Sequence, residues 1–278
     1  MRVQLWQAGM AVAVAGATAN AQSVTITQSV DPVSIVGLNS IACAAANPQR
    51  TTENSYYRTF DLTQFPAVTG PFHITRVDVA VENATHPNFE QDLTINLWVD
   101  CNGGAPFLAD LTLIGSFVFV QIDTGPFIEE IPVDVTICAD ATLVVEVNSV
   151  DHRGETVNAV YFIGSNPNGQ NSPSYIRADA CGLTEIQDIA TVGMGFPNMH
   201  IVLSVLGDIV AACDDPCVTA CPCACDFDPD PLCDIFDFLA FQNQFVLGDP
   251  CACLKDPDPL CDIFDFLAFQ NEFVLGCP

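Results

Sequence analysis

Between residues 24 and 207 apolar and polar positions alternate with a period of two in a series of short stretches rich in Val, Ile and Phe. They are ITRVDVAVE (74–82), LTINLWV (93–99), SFVFVQI (116–122), IPVDVTI (131–137), TLVVEV (142–147), VNAVYFIG (157–164) and HIVLSVLG (200–207). A period of two sends successive side chains to opposite faces of a strand, so each stretch reads as a half-buried β-strand. The clusters DCNGGAP, DTGP and GSNPNGQNSP punctuate them as turns. No stretch here carries the 3.6-residue period of an amphipathic helix. The pattern predicts a mainly β protein whose N-terminal domain, 22–207, is an antiparallel β-sandwich of jelly-roll type. That length suffices to bury a core.

Past Gly207 the alternation stops. DIVAACDDPCVTACPCAC has no strand period and reads as a cysteine-rich linker over 208–224. Beyond it a new pattern appears and is then written twice. Residues 229–248 and 257–276 agree at 19 of 20 positions at an offset of 28, the exception being Gln244 against Glu272. A repeat of this kind defines the structural unit, here 225–250 and 253–278. In each unit an apolar stripe falls at i, i+3 and i+7 (Phe238, Phe241 and Phe245 in the first), which predicts a short helix. The simplest role for the stripe is the module's own core.

The residues before each helix suggest a cation site. Asp226, Asp228, Asp230, Asp234 and Asp237 occupy positions 1, 3, 5, 9 and 12 of a twelve-residue loop, with Leu232 at position 7 offering its carbonyl. Those are the ligand positions of a calcium loop of the EF-hand kind, because a hard cation takes six to eight oxygens and a tight loop turns alternate side chains onto it. The second unit keeps Asp256, Asp258, Asp262 and Asp265, but Leu254 stands at position 1 with Lys255 beside it. The first loop is expected to bind Ca2+, the second weakly or not at all. Pro231 and Pro259 replace the glycine usual at position 6, and proline cannot adopt positive φ, so both loops must turn differently.

Two loop-helix units in tandem resemble the bacterial dockerin family, and in particular its cysteine-bearing variants ending in GCP on secreted proteins. The likeness covers 225–278, about a fifth of the chain. It implies a calcium-dependent module that docks on a cohesin-type protein or surface scaffold. It also implies that positions 10 and 11, Ile235–Phe236 and Ile263–Phe264, help select the partner. A near-identical repeat would present two nearly equivalent faces, so the partner could dock either way round.

Cysteine usage and the N-terminus fix the compartment expected. There are fourteen cysteines: Cys43, Cys101, Cys138 and Cys181, and ten more within 213–278. Such density marks a small module stapled by disulfides in an oxidising compartment. Cys225–Cys233 and Cys253–Cys261 would close the two loops, while Cys43–Cys181 and Cys101–Cys138 are the pairings expected in the sandwich. Zinc is the rival for CPCAC, although a C-x-C spacing differs from the usual pairs. Arg2, the apolar MAVAVAGATA and the small-x-small Ala19-Asn20-Ala21 read as a signal peptide over 1–21, too short to span a bilayer. The expected protein is secreted or attached to the cell surface, with no membrane insertion after signal removal.

Charge and motifs narrow the chemistry. A net charge of −27 argues against nucleic acid, since the Lys/Arg surface that phosphates need is missing. Four dispersed histidines (His73, His86, His152, His200) and the absence of H-E-x-x-H, G-x-S-x-G or a P-loop argue for a non-catalytic role. Glu129 and Glu130 are neighbours in a strand and point to opposite faces. The alternative is a carbohydrate-binding component of a polysaccharide-degrading assembly, with a glycoside hydrolase behind it. For that reading Trp98, Tyr56, Tyr57 and Tyr175 are the candidate sugar-stacking residues.

Overall fold

The structure, a computed structural model, describes residues 23–101, 103–193, 195–213, 235–247, 252 and 262–275. Among these the strands are β1 (Ser23–Thr27), β2 (Ala44–Ala46), β3 (Gln49–Thr51), β4 (Asn54–Asp61) and β5 (Phe72–Thr85). Next come β6 (Glu90–Asp100), β7 (Leu111–Ile122), β8 (Phe127–Ile137), β9 (Thr142–Ser149) and β10 (Val160–Ile163). The last are β11 (Ser165–Asn166), β12 (Ser174–Ala178), β13 (Leu183–Asp188), β14 (His200–Ile201) and β15 (Leu203–Ile209). Two helices follow, α1 (Ile235–Leu247) and α2 (Ile263–Leu275).

Six strands in the order β13-β12-β4-β9-β6-β7 form one antiparallel sheet, and β1, β15, β5, β10 and β8 form a second. The long strand β5 organises the second sheet. It pairs with β15 over Phe72–Val79 and with β8 over Phe72–Val81, and its far end pairs with β10. The alternation read from sequence decides which side chains meet between the sheets. Val77, Val79 and Val81 of β5 join Leu93, Ile95, Leu97 and Val99 of β6 and Leu143, Val145 and Val147 of β9 in one buried cluster. Full burial of each such side chain stabilises the fold by about 1.5–3 kcal/mol. Where the β15–β5 register shifts, Gly207 is required, because a Cβ there would collide with the carbonyl of His73.

All seven stretches of the sequence pattern form strands, some with shifted boundaries, whereas β1, β2, β3, β4, β11, β12 and β13 fall outside them. The 157–164 stretch contributes only Val160–Ile163, and the 200–207 stretch divides into β14 and a β15 that continues to Ile209. NSYYRTFD, which is not among the stretches that the pattern predicts as strands, is the central strand β4, with Tyr56 and Phe60 in the core. Its Asn, Ser, Arg and Asp carry no strand signal alone. Pairing with β9 and β12 on both sides overrides that local preference.

One disulfide pairing is corrected. Cys43–Cys181 forms as expected, but Cys138 pairs with Cys213 and not with Cys101, at a Cα–Cα distance of 5.3 Å. Sheet register is the cause. Ile137 of β8 and Ile209 of β15 both pair with Phe72 of β5, which brings the residues just beyond each strand to the same end of the sheet. Cys213 therefore belongs to the sandwich, which reaches past the 207 boundary into the stretch read as linker. Cys101 is itself disulfide-bonded. The candidate leader 1–21 and the pairs Cys225–Cys233 and Cys253–Cys261 lie outside the described residues.

Candidate functional site

The helices pack through the stripe that their sequences repeat. Phe238, Phe241 and Phe245 of α1 meet Phe266, Phe269 and Phe273 of α2, with Ala252 buried beside them. The contacts are reciprocal under the 28-residue offset. Phe241–Phe269 stack with centroids 3.8 Å apart. Phe238 lies 6.0 Å from Phe269 while Phe241 lies 5.8 Å from Phe266, and Phe238–Phe273 at 5.9 Å answers Phe245–Phe266 at 6.3 Å. Residue i of one helix contacts residue j of the other and j contacts i, which is the signature of a two-fold relation. The stripe is thus the module's own core, as the sequence suggested.

Asp237 and Asp265 sit in the first turn of their helices and are fully buried. At α2 the local bonding is resolved. The Asp262 side chain accepts the Phe264 N–H at 2.8 Å, and Asp265 Oδ2 accepts the Asp262 N–H at 3.0 Å. This reciprocal arrangement caps the helix as a capping box does. Both carboxylates that the sequence assigned to calcium thus also serve the helix start. Asp226, Asp228, Asp230, Leu232, Asp234, Asp256 and Asp258 lie outside the described residues. Among the described residues no group of three His, Cys, Asp or Glu side chains is placed to hold a metal ion.

The positions assigned to partner selection are open to solvent. Ile235 and Phe236 are 60% and 61% exposed, and Ile263 and Phe264 are 60% and 58% exposed. Leu239 and Leu267 add a third exposed apolar residue to each helix. The two-fold that buries the phenylalanine stripe therefore presents the same apolar triplet twice.

In the sandwich the sugar-stacking candidates are corrected. Tyr56, Tyr57 and Tyr175 are buried, and Trp98 is only partly exposed. Tyr56 faces the main core and donates from its hydroxyl to the Ile41 carbonyl. The others are on the opposite face of the six-stranded sheet, in a second small core with Val144 and Ile186, against which Leu108 and Leu111 pack. Its polar centre is Glu146, a residue the sequence reading passed over. Tyr57 Oη donates to Glu146 Oε1, and Asn96 Nδ2 and Trp98 Nε1 donate to Oε2, each at 2.9 Å. Cross-strand register assembles this set, since Tyr57 and Asn96 both pair with Glu146. Burial, and then the Glu146 charge, push the Tyr57 hydroxyl far above its ordinary value. Three donors from two flanking strands hold the carboxylate, which therefore clamps β4, β9 and β6 together. The only sequence signal was a single acid inside the apolar run TLVVEV.

A further titratable cluster lines a cavity of about 330 Å³ bounded by His86, Asn88, Glu90, Gln91, Asp92, Val120, Val150, Asp151, His152 and Glu155. The imidazoles of His86 and His152 lie 5.2 Å apart. Nothing in the sequence paired them. The turn Val150–Glu155 and the β5–β6 connection bring them together only once the sheets have formed. Glu129 and Glu130 do not act jointly: Glu129 accepts from Gln121 and Glu130 pairs with Arg76.

The architecture defines a disulfide-bonded, mainly antiparallel β protein. No protein-family model matches the chain, and no curated protein matches it. Among solved structures it is similar to a variant of the clostridial cysteine protease Cwp84 after propeptide cleavage, at 10% identity over 68% of this chain, with a TM-score of 0.44. This chain spans 40% of that protein's length. It is also similar to the cysteine protease and lectin-like domains of Cwp84, a surface layer associated protein of Clostridium difficile, at 11% identity. That match covers 58% of this chain and 33% of the other, with a TM-score of 0.38. These TM-scores are too low to define a shared fold.

Proposed function

We propose that this is an exported, non-catalytic protein whose C-terminal helical pair is a calcium-binding, dockerin-like docking module. The module attaches the β-sandwich to a cohesin-type partner or surface scaffold. The observation that carries the reading is the duplicated apolar triplet, Ile235, Phe236 and Leu239 with Ile263, Phe264 and Leu267, left exposed while six phenylalanines pack against one another around buried Phe241 and Phe269. A monomer has no use for six large exposed apolar residues on two short helices, whereas a docking surface needs them. The calcium assignment rests on electrostatics. From 225 to 278 the sequence has eleven carboxylates and one lysine, and two of the acids, Asp237 and Asp265, are out of water. Carboxylates gathered at that density repel one another unless a cation joins them. The disulfides support folding in an oxidising compartment.

The test is a calcium titration of the oxidised full-length protein by calorimetry, with melting curves in the presence and absence of chelator. One site that is lost on Asp237→Ala supports the reading, as does calcium-dependent capture by immobilised cohesin that is weakened by Phe236→Ala or Phe264→Ala. No calcium binding, with cohesin capture absent, refutes it.

A further inference from the structure

One edge of the six-stranded sheet is left unguarded. β7 ends that sheet, and among the described residues it pairs with β6 alone. Every second N–H and C=O of an edge strand points away from its neighbour. Over 115–122 no backbone group of another element bonds to them among the described residues, and only the Ile122 carbonyl accepts a side chain, that of Gln121. The single register shift against β6 falls at Ile114, so the strand runs regularly from Gly115 to Ile122. Its outer face is apolar and open, with Val118, Val120 and Ile122 between 50% and 69% exposed. On the inner face Phe117 and Phe119 pack against the main core yet are only partly buried.

Sheet edges are normally guarded by charge, by proline or by brevity, because a long apolar edge is a template for another strand. The other edges of these two sheets obey that rule. β8 has Glu129, Glu130, Pro132 and Asp134, β13 has Glu185 and Asp188, and β1 and β10 run for only five and four residues. β7, LTLIGSFVFVQI, has no charged residue and no proline, in a chain whose net charge is −27. That contrast selects the occupant. Two copies of so acidic a chain repel wherever their carboxylates meet, and β7 is the long edge at which they do not. Glu90 and Asp92 stand one strand back, beside Ile122 and Val120. Three strand spacings, about 14 Å, would separate them from the β6 of a second copy, beyond the screening length of about 8 Å at physiological salt. A basic partner would find no counter-charge on β7 itself.

We propose that β7 pairs antiparallel with β7 of a second copy across a two-fold axis perpendicular to the sheet, so that the sheet continues from one copy into the other. Such an axis keeps like faces together, and each residue i that meets j is answered by j meeting i. Centred on Val118, it sets that valine against its own counterpart, Phe117 against Phe119, and Ser116 against Val120. No charged side chains meet on either face, and the two partly buried phenylalanines gain a neighbour each.

The test is analytical sedimentation of the oxidised full-length protein over a concentration series reaching about 0.1 mM, with amide hydrogen exchange at both ends of the series. The parent should form a dimer, and amides within 115–122 should gain protection with concentration while those of β8 do not. Added salt should tighten the dimer, because it screens two copies that repel each other. Val118→Glu sets two carboxylates side by side at the axis and should weaken the dimer by about tenfold or more, with the amides of β5 and β9 still protected. Val33→Glu, at a valine 71% exposed outside this edge, should leave the dimer unchanged. The double variant Phe236→Ala, Phe264→Ala should also leave it unchanged, which separates this association from any made through the helical pair. A protein that stays monomeric throughout overturns the proposal. So does a dimer that survives Val118→Glu, that Val33→Glu weakens equally, that disappears with the helical-pair variant, or that added salt dissociates.

Discussion

Replacing Phe241 by Ala should unfold the helical pair while leaving the sandwich intact, and replacing Phe269 by Ala should do the same to the same extent. Each ring is fully buried, so its loss forfeits about 1.5–3 kcal/mol of transfer free energy. The stacked contact at 3.8 Å adds about 0.5–1.5 kcal/mol. With the cavity left behind, the total is about 3–5 kcal/mol. Among the described residues the module's core is six phenylalanine rings with Ala240 and Ala252, and a core of that size supplies no more than about 3–5 kcal/mol, so one truncation consumes it. The aromatic cluster and the sandwich core have no member in common, so the strands should not feel the change. Native-state hydrogen exchange on the full-length oxidised protein reads this directly. Amides of α1 and α2 should lose protection together, and those of β5 and β9 should keep theirs. Because the rings touch one another, the double variant should cost less than the sum of the two single variants, by about 0.5–3 kcal/mol. Phe236→Ala, on the exposed side, should stay within about 0.5 kcal/mol of the parent. The two-fold argument is refuted if Phe241→Ala and Phe269→Ala differ by more than the coupling allows, or if α1 opens while α2 stays protected.

Other consequences are equally checkable. Peptide mapping of the unreduced protein should recover Cys138 linked to Cys213, and Cys138→Ser and Cys213→Ser should destabilise the sandwich equally. For a closed loop of 75 residues the chain-entropy relation gives about 4–5 kcal/mol; a Cys101–Cys138 peptide would contradict the register argument. Glu146→Ala strands three donors and should cost at least about 2 kcal/mol in thermal unfolding, with Glu146→Gln costing less because one oxygen remains. An unchanged melting temperature would remove the clamp. Burial, and next the neighbouring His86, hold His152 below the ordinary histidine value, with Glu155 and Asp151 opposing. The folded state therefore binds that proton less readily than the unfolded chain. The contribution is full above about pH 6.5 and is lost as pH falls through that value toward the folded one. His152→Gln should flatten the melting-temperature profile over that window, and a profile identical to the parent would sink the assignment.

Sequence alone determined the elements whose signal is periodic. Val77, Val79 and Val81, or Leu93, Ile95, Leu97 and Val99, announce a buried face because a strand has no other way to segregate every second residue. Phe238, Phe241 and Phe245 announce a helix stripe for the same reason at a different period. The repeat fixed the unit, and Cys43–Cys181 was paired correctly. Everything that depends on which strand lies beside which was decided by the tertiary structure. Tyr57 and Trp98 look alike in sequence to exposed stacking residues, yet packing with Val144, Tyr175 and Ile186 and the carboxylate of Glu146 turn them into a clamp. Cys138 found Cys213 because β8 and β15 both end against Phe72. His152 meets Gln91, far away in the chain, only because the folded sheets bring the two together. Periodicity records which face of an element is buried; it does not record what that face meets, and the chemistry of this protein lies in those meetings.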